Sequence, residues 1–298
     1  MPPRQMRIIF DNNSFAALVQ QPQHSQSLQQ LKELVHNGRI EVIGSSTLLQ
    51  ELSGLATKQP DLYLQTLSQY KELTKGKVLR PAHELAISEG EHCKPVWFEQ
   101  SLLGQAEVNN LFTNLGNPSM AQSLFGETAS LKNGYAETKE KARASILSTP
   151  GIADKSSKDI ATGYQDWFHH FDEYVQNWFI DLFDGGNPHK TWLVNLLYKV
   201  KRLIRRVIKG RCEVRRLPHV YAFLGYALTR IYERFTLNKK DRDNDYFDRA
   251  HFTDAAVADI FVTNDGSLIR TALRVPNRKC EVLKLDDLVS LINKWHGA

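Results

Sequence analysis

Residues 258–268 read ADIFVTNDGSL. The run from Ile260 to Thr263 is short and mostly apolar, which is typical of a strand that is buried on both faces. Asp265 and Gly266 follow it at once, so a carboxylate stands where the strand leaves the core. A carboxylate is costly to bury unless something pairs with it. The pattern therefore predicts a core strand whose final acid needs a helix N-terminus, a basic side chain or a metal ion.

Strand-like and helical segments alternate on both sides of this stretch. Near the start of the chain, Arg7 to Phe10 reads as a strand that ends at Asp11, helical segments follow, and residues 39–44 read as a second strand. After 260–263, a short helical segment leads to another strand at 281–285. Such alternation indicates a parallel sheet with right-handed crossovers. We therefore expect the α/β class, with a three-layer parallel sheet.

The middle of the chain differs from both ends, because it offers almost no strand candidate and its apolar residues recur at helical spacing. The simplest architecture is one discontinuous α/β domain, made of residues 1–86 and 241–298. A large, mainly helical insertion, residues 87–240, would interrupt it.

A basic helix is predicted near residues 197–216, the densest positive segment of the chain. An amphipathic basic helix can lie on a membrane surface, bind an acidic protein or follow a phosphate backbone, and a solvated helix face is the plain alternative. These interpretations stay open on the sequence alone. The residues that we expect to contact nucleic acid are Lys199, Lys201, Arg202, Arg205, Arg206, Lys209 and Arg211.

Composition excludes several classes of protein. The 298 residues are 42% hydrophobic and 24% charged, as in a globular protein, and no apolar stretch has the length that a bilayer requires. The first residues lack the pattern of a signal peptide, so we expect no membrane span and a cytoplasmic location. Three widely spaced cysteines fit neither a disulfide framework nor a CxxC metal site. The net charge of +5 permits a nucleic-acid partner.

Acidic residues from both chain ends are placed to meet at the carboxyl ends of the strands, where ligands of parallel α/β sheets collect. Asp11 and Asp265 follow strands, Glu51 lies early on a helix, and Asp248 lies near the start of the helix that leads to Asp265. Four carboxylates in one cavity would repel each other strongly at neutral pH. Divalent cations relieve that repulsion, and ligand sets made only of oxygen favour Mg²⁺ or Mn²⁺.

The segments that carry these acids resemble the PIN-domain nucleases, a family that also includes bacterial toxin ribonucleases. They are IIFDNNSF, LLQELSG, DRAHFTDAAVADIFVTNDGSL and EVLKLDDLV. In that family an acid ends the first strand, a Glu lies on an early helix, an acid begins a late helix, and a (V/I)T-x-D turn supplies the last acid. Residue by residue, the resemblance makes these four the catalytic and metal-binding residues Asp11, Glu51, Asp248 and Asp265.

The same resemblance suggests polar helpers, Asn12, Thr263 and Asn264, and Asp254 as an additional acid. It covers about 1–85 and 242–298, and Asn12 stands where the family often has Thr. Two further acids, Asp245 and Asp259, compete with Asp248 and Asp254 for the third role.

The resemblance implies a Mg²⁺- or Mn²⁺-dependent endoribonuclease, which is a hydrolase, with RNA as substrate and an antitoxin-like inhibitor as a protein partner. The alternative is a non-catalytic PIN-like module that binds RNA or a protein. A phosphatase of the haloacid dehalogenase type would need a second acid two residues after the first, where this chain has Asn13. Each acid also has a structural interpretation, with Asp11 and Asp265 as helix caps and Glu51 as a solvated helix residue.

Overall fold

A computed structural model of the protein describes residues 5–92, 94–123, 216–237, 245–275 and 278–296. The lysines and arginines assigned to the predicted nucleic-acid interface, residues 199–211, lie outside these ranges.

Two parallel sheets contain the strands that the structure describes. A four-stranded sheet has the order β2-β1-β5-β6, and β3 and β4 form a two-stranded sheet. The strands are β1 (Met6–Phe10), β2 (Ile40–Val42), β3 (Gly44–Ser45), β4 (Val78–Leu79), β5 (Ile260–Val262) and β6 (Glu281–Leu283). The predicted α/β class with a parallel sheet is confirmed.

A helix precedes or follows each strand. The α-helices of the described ranges include α1 (Asn12–Gln20), α2 (Ser25–His36), α3 (Ser46–Ser53), α4 (Pro60–Thr74), α5 (Ala82–His92), α6 (Phe98–Ser101), α7 (Gln105–Leu115), α8 (Pro218–Leu237), α9 (Asp245–Asp254), α10 (Gly266–Arg274) and α11 (Leu285–His296). No helix within the described ranges is both long enough and apolar enough to cross a bilayer.

Alternate residues of the central strands face two separate helical cores, as the twofold repeat of a strand requires. Ile8 and Phe10 of β1 pack into a core formed with α1, α2, α3, α4, α7 and α11. Ile9 and Phe261 point the other way, into a core formed with α5, α8, α9 and α10. Helices therefore cover both faces of the sheet, an arrangement compatible with the predicted three layers.

Residues 39–44 do not form the single strand that their composition predicts. β2 pairs with β1, but after Ile43 the chain moves into the second sheet, where Gly44 pairs with Val78. A Cβ on Gly44 would lie 2.9 Å from a methyl group of Val78 and 3.1 Å from the carbonyl oxygen of Lys77. Only glycine permits this close approach, so the switch between sheets depends on a tertiary contact.

Helix α8 belongs to the predicted insertion, and it packs against α9, α5 and α10 of the second core. Two buried networks of polar residues hold it there. Glu89 of α5 accepts hydrogen bonds from the backbone N–H groups of His219 and Val220 at the start of α8. Arg230 of α8 pairs with Asp245 of α9 at 2.8 Å. The boundaries of the proposed insertion stay a prediction.

The strand order creates a crevice between β1 and β5. The chain leaves β1 for β2 on one side and leaves β5 for β6 on the other, so the direction of the connections reverses between these two neighbouring strands. Phe10 lies opposite Val262, which places Asp11 beside Thr263 at the carboxyl edge. This is the position at which open α/β sheets bind ligands.

Candidate carboxylate site

Asp11 lies at the site directly after the end of β1, and it is 3% exposed. Its extended backbone makes it the N-cap of α1, and its Oδ1 accepts a hydrogen bond from the backbone N–H of Ser14 at 2.7 Å. Its Oδ2 accepts one from the hydroxyl of Thr263 at 2.5 Å. Burial raises the pKa of Asp11 above its ordinary value, although these donors and His251 act in the opposite direction. Asp11 is therefore both a helix cap and a buried acid at the crevice.

Asp265 ends the turn after β5 and caps the next helix. Its Oδ1 accepts hydrogen bonds from the backbone N–H groups of Ser267 and Leu268, at 2.6 Å and 3.1 Å. Its own N–H donates to the hydroxyl oxygen of Thr263 at 3.1 Å. The hydroxyl of Thr263 therefore links the acids that follow the two central strands.

Glu51 lies in the second turn of α3 and faces a histidine that the sequence interpretation missed. Nε2 of His251, on α9, donates to Oε2 of Glu51 at 2.8 Å, and His251 is 2% exposed. Burial alone would lower the pKa of His251, but the hydrogen bond with Glu51 and the charges of Glu51, Asp11 and Asp254 raise it to about 9. A buried imidazolium therefore lies among the acids at neutral pH.

Asp248 lies one helical turn before His251 and is only 9% exposed. It accepts no side-chain or backbone hydrogen bond from the residues that the structure describes. Burial raises its pKa to about 7, helped by the negative charges of Asp265, Asp245 and Glu51 and opposed by His251. The charges of Asp265 and Glu51 therefore both act on Asp248, and the positive charge of His251 is attracted to both Glu51 and Asp11. We call Asp11, Glu51, Asp248 and Asp265 the acid cluster.

Asp254 lies deeper than the acid cluster and has its own hydrogen-bond donors. It is completely buried, and its Oδ2 accepts from the hydroxyls of Ser45 at 2.6 Å and Thr47 at 2.7 Å. Burial raises its pKa, in spite of these donors. Since Ser45 caps α3, this contact joins the end of α9 to the start of α3. Its clear role is to hold the helix of Asp248 and His251 against the helix of Glu51.

The other two candidates for the third acid have different surroundings. Asp245 pairs with Arg230 and also raises the pKa of Asp248 by its charge. Asp259 precedes β5 and accepts a hydrogen bond from the N–H of Arg7, so it lies at the amino end of the strands, away from the acid cluster.

The predicted polar helpers also follow the strand ends. Oδ1 of Asn264 accepts a hydrogen bond from the N–H of Leu285 at 3.0 Å, which ties the turn after β5 to the start of α11. Oδ1 of Asn12 is buried and accepts no hydrogen bond from the described part of the chain. Thr263 is wholly buried and makes the contacts with Asp11 and Asp265 given above.

The oxygen donors of the acid cluster suit Mg²⁺ or Mn²⁺ in chemistry. Asp248 is the member whose buried carboxylate accepts no hydrogen bond from the described residues, so a cation would relieve the cost of its burial most. In their present positions no three acidic, histidine or cysteine side chains of the described ranges form a ready metal ligand set. Glu51 is held by His251 and Asp265 by backbone N–H groups, so a shared ion would have to compete with these contacts.

His251 could have been recognised from the sequence DRAHFTD, because residues three apart on a helix lie on the same face. Its pairing with Glu51 could not, since the two are separated by 200 positions.

Comparisons of the chain with protein-family models, with curated proteins and with solved structures give no match. The resemblance to PIN-domain nucleases therefore stays a prediction from the motifs.

Proposed function

We propose that this protein is a Mg²⁺- or Mn²⁺-dependent endoribonuclease with a PIN-like fold, and that the acid cluster holds its metal. The observation that carries the proposal is the buried environment of the Asp248 carboxylate. It is a buried carboxylate without a hydrogen-bond donor among the described residues, and its pKa of about 7 reflects burial and the charges of Asp265, Asp245 and Glu51. A protein that needed only stability would gain by replacing such a group.

A divalent cation explains why the acids are assembled at this edge. When bound, such an ion supplies a Lewis acid that polarises a phosphate oxygen, neutralises developing charge and lowers the pKa of water. Asp11, Glu51, Asp248 and Asp265 would hold it through carboxylate oxygens. Thr263 would orient Asp11, because its hydroxyl fixes one of the two carboxylate oxygens. His251 would orient Glu51 and balance part of the negative charge.

The PIN-like type is supported by the order of motifs along the chain and by the edge at which their residues lie. Asp11 and Asp265 follow the adjacent parallel strands β1 and β5, and α3 and α9 bring Glu51 and Asp248 toward them. RNA as substrate is supported by the net charge of +5 and by the basic segment near 197–216.

Cleavage of a labelled single-stranded RNA tests the proposal. The wild-type protein should cleave it internally in Mn²⁺ or Mg²⁺ and not in EDTA. Asp11→Asn and Asp248→Asn should reduce the rate by orders of magnitude, because each removes a charged ligand. Asp286→Asn is the matched control, since Asp286 is an exposed acid on α11. Equal cleavage by all four proteins in EDTA would contradict the proposal.

A non-catalytic module of the same fold is the second candidate, and the present hydrogen bonds of the acids favour it. Both oxygens of Asp11 accept hydrogen bonds, and Glu51 pairs with His251. Acids that serve only to cap helices and join them need no metal. This candidate predicts RNA or protein binding that persists in EDTA, with no cleavage products under any metal.

A further inference from the structure

An open depression of about 430 Å³ lies beside the acid cluster. It is lined by Asn13, Asn264, Asp265, Gly266, Ser267 and Arg270. Its volume is within the usual range for small-ligand sites. Asp265 therefore belongs both to the acid cluster and to the lining of this depression. The other five lining residues are not members of the acid cluster.

Arg270 gives this depression its positive charge. It lies on α10 one helical turn after Gly266, and its side chain is exposed. Its Nη1 is 3.5 Å from the position that a Cβ on Gly266 would occupy, so the guanidinium folds back over the first turn of the helix. It forms no ion pair with any residue in the described ranges. An exposed arginine that lines the same depression as Asp265, and forms no ion pair within the described ranges, is available for an anionic ligand.

Amide side chains add further donors around Arg270. Oδ1 of Asn264 accepts from the N–H of Leu285, which leaves its amide N–H groups as the donors that can face a ligand. Asn13 is exposed at the start of α1. The backbone N–H groups of Ser267 and Leu268 are taken by Asp265, so the helix start itself contributes little. Side chains, and not the helix terminus, make this depression suitable for an anion.

We propose that this depression binds a phosphodiester of the substrate strand that flanks the cleaved bond, with Arg270 as its main contact. The proposal rests on the proposed nuclease function, because it takes the neighbouring phosphate to lie at the acid cluster. A planar guanidinium can donate two parallel hydrogen bonds to phosphate oxygens. A small free anion would be repelled by the nearby carboxylate of Asp265. A strand that also reaches a cation at the acid cluster meets favourable charges at both positions, so the site selects a polynucleotide.

Binding of a short fluorescein-labelled single-stranded RNA to the full chain, followed by fluorescence anisotropy, tests this subsite. Measurements in EDTA and in Ca²⁺ separate binding from cleavage. Arg270→Gln should weaken the affinity about tenfold, as expected for a charged hydrogen bond. It should also reduce the slope of log affinity against log salt by about one.

Arg278→Gln is the matched control, because Arg278 is also an exposed arginine but lies before β6, at the amino end of the strands. It removes the same charge from the opposite edge and should leave the affinity nearly unchanged. Equal affinities for Arg270→Gln and wild type, or equal losses in the two variants, would overturn the proposal. Because anisotropy measures binding without cleavage, the two proposals can fail separately. If the protein cleaves RNA but its binding does not depend on Arg270, only the subsite is refuted. An inactive wild type that binds RNA through Arg270 would refute the nuclease alone.

Discussion

Thr263 donates its hydroxyl hydrogen to Oδ2 of Asp11, across 2.5 Å and 252 positions of sequence. The hydroxyl oxygen of Thr263 also accepts a hydrogen bond from the backbone N–H of Asp265. One buried hydroxyl therefore joins the ends of β1 and β5 and orients an acid on each. The backbone N–H of Asp11 also donates to the carbonyl oxygen of Val262 at 2.9 Å, so the strand ends are joined through the backbone and the carboxylate of Asp11 is oriented by the hydroxyl.

Replacing Thr263 by valine should destabilise the protein and disturb the acid cluster. Valine keeps the shape of threonine but leaves a buried oxygen of Asp11 without its donor, at a cost of about 1–3 kcal/mol in the free energy of unfolding. Thr263→Ser is the control, because it keeps the hydroxyl and loses only a methyl group, which costs about 1 kcal/mol. Urea unfolding measures both. A valine variant as stable as the serine variant would show that the hydroxyl contributes little.

Replacing Asp248 by asparagine should stabilise the metal-free protein. The pKa of Asp248 rises from 3.8 to about 7 on folding, so ionisation opposes folding and the stability due to this group falls as the pH increases through that interval. Asparagine cannot ionise, and its gain over wild type should be roughly 1–4 kcal/mol at pH 8 and smaller at pH 5.

Thermal unfolding in EDTA at the two pH values measures this gain. Asp286→Asn, at an exposed position, should show no comparable difference between them. An Asp248→Asn protein that is less stable than wild type at pH 8 would mean that the carboxylate is paired in the folded state.

The central strands and the acids at their ends could be predicted because both signals are local. IFV is followed within three residues by Asp265, and IIF is followed at once by Asp11. The partners of those acids could not be predicted, because they come from distant segments. His251 meets Glu51 only when α9 packs on α3, and the sheet switch at Gly44 depends on its approach to Val78. Periodicity describes which face of a helix is buried, but it does not identify what that face contacts.

His251 should stabilise the protein in a pH-dependent way. Its pKa is raised from 6.5 to about 9, so the stabilisation is fully present below about pH 6.5 and is lost as the pH rises through 9. Glutamine at this position can keep a hydrogen bond to Glu51 but carries no charge. We therefore expect His251→Gln to lose about 1–3 kcal/mol at pH 6 and much less at pH 10.

Chemical denaturation across that pH range checks this expectation for His251. His36→Gln is the matched control, because His36 lies at the exposed end of α2. A loss for His251→Gln that is constant with pH would show that packing, and not charge, is what the histidine contributes.

Glu89 should be among the most sensitive positions of the second core, although it has no part in the proposed chemistry. It is wholly buried, and its carboxylate accepts four hydrogen bonds, from the N–H groups of Val96, His219 and Val220 and from Nδ1 of His219. It therefore caps α8 from a helix that lies 130 positions earlier in the chain. Glu89→Ala should lower the free energy of unfolding by about 3 kcal/mol or more, because several buried donors lose their acceptor at once.

Glu84→Ala is the matched control, since Glu84 is an exposed acid on the same helix, and its effect should stay within about 0.5 kcal/mol. Hydrogen exchange separates this local role from a general loss of stability. In Glu89→Ala the amides at the start of α8 should exchange faster, while those of β1 and β5 should be affected only as far as global stability falls. Unchanged protection at the start of α8 would contradict the capping role. The cap links α8 to α5, so its loss should also reduce the packing of α8 on α9, the helix that carries Asp248 and His251.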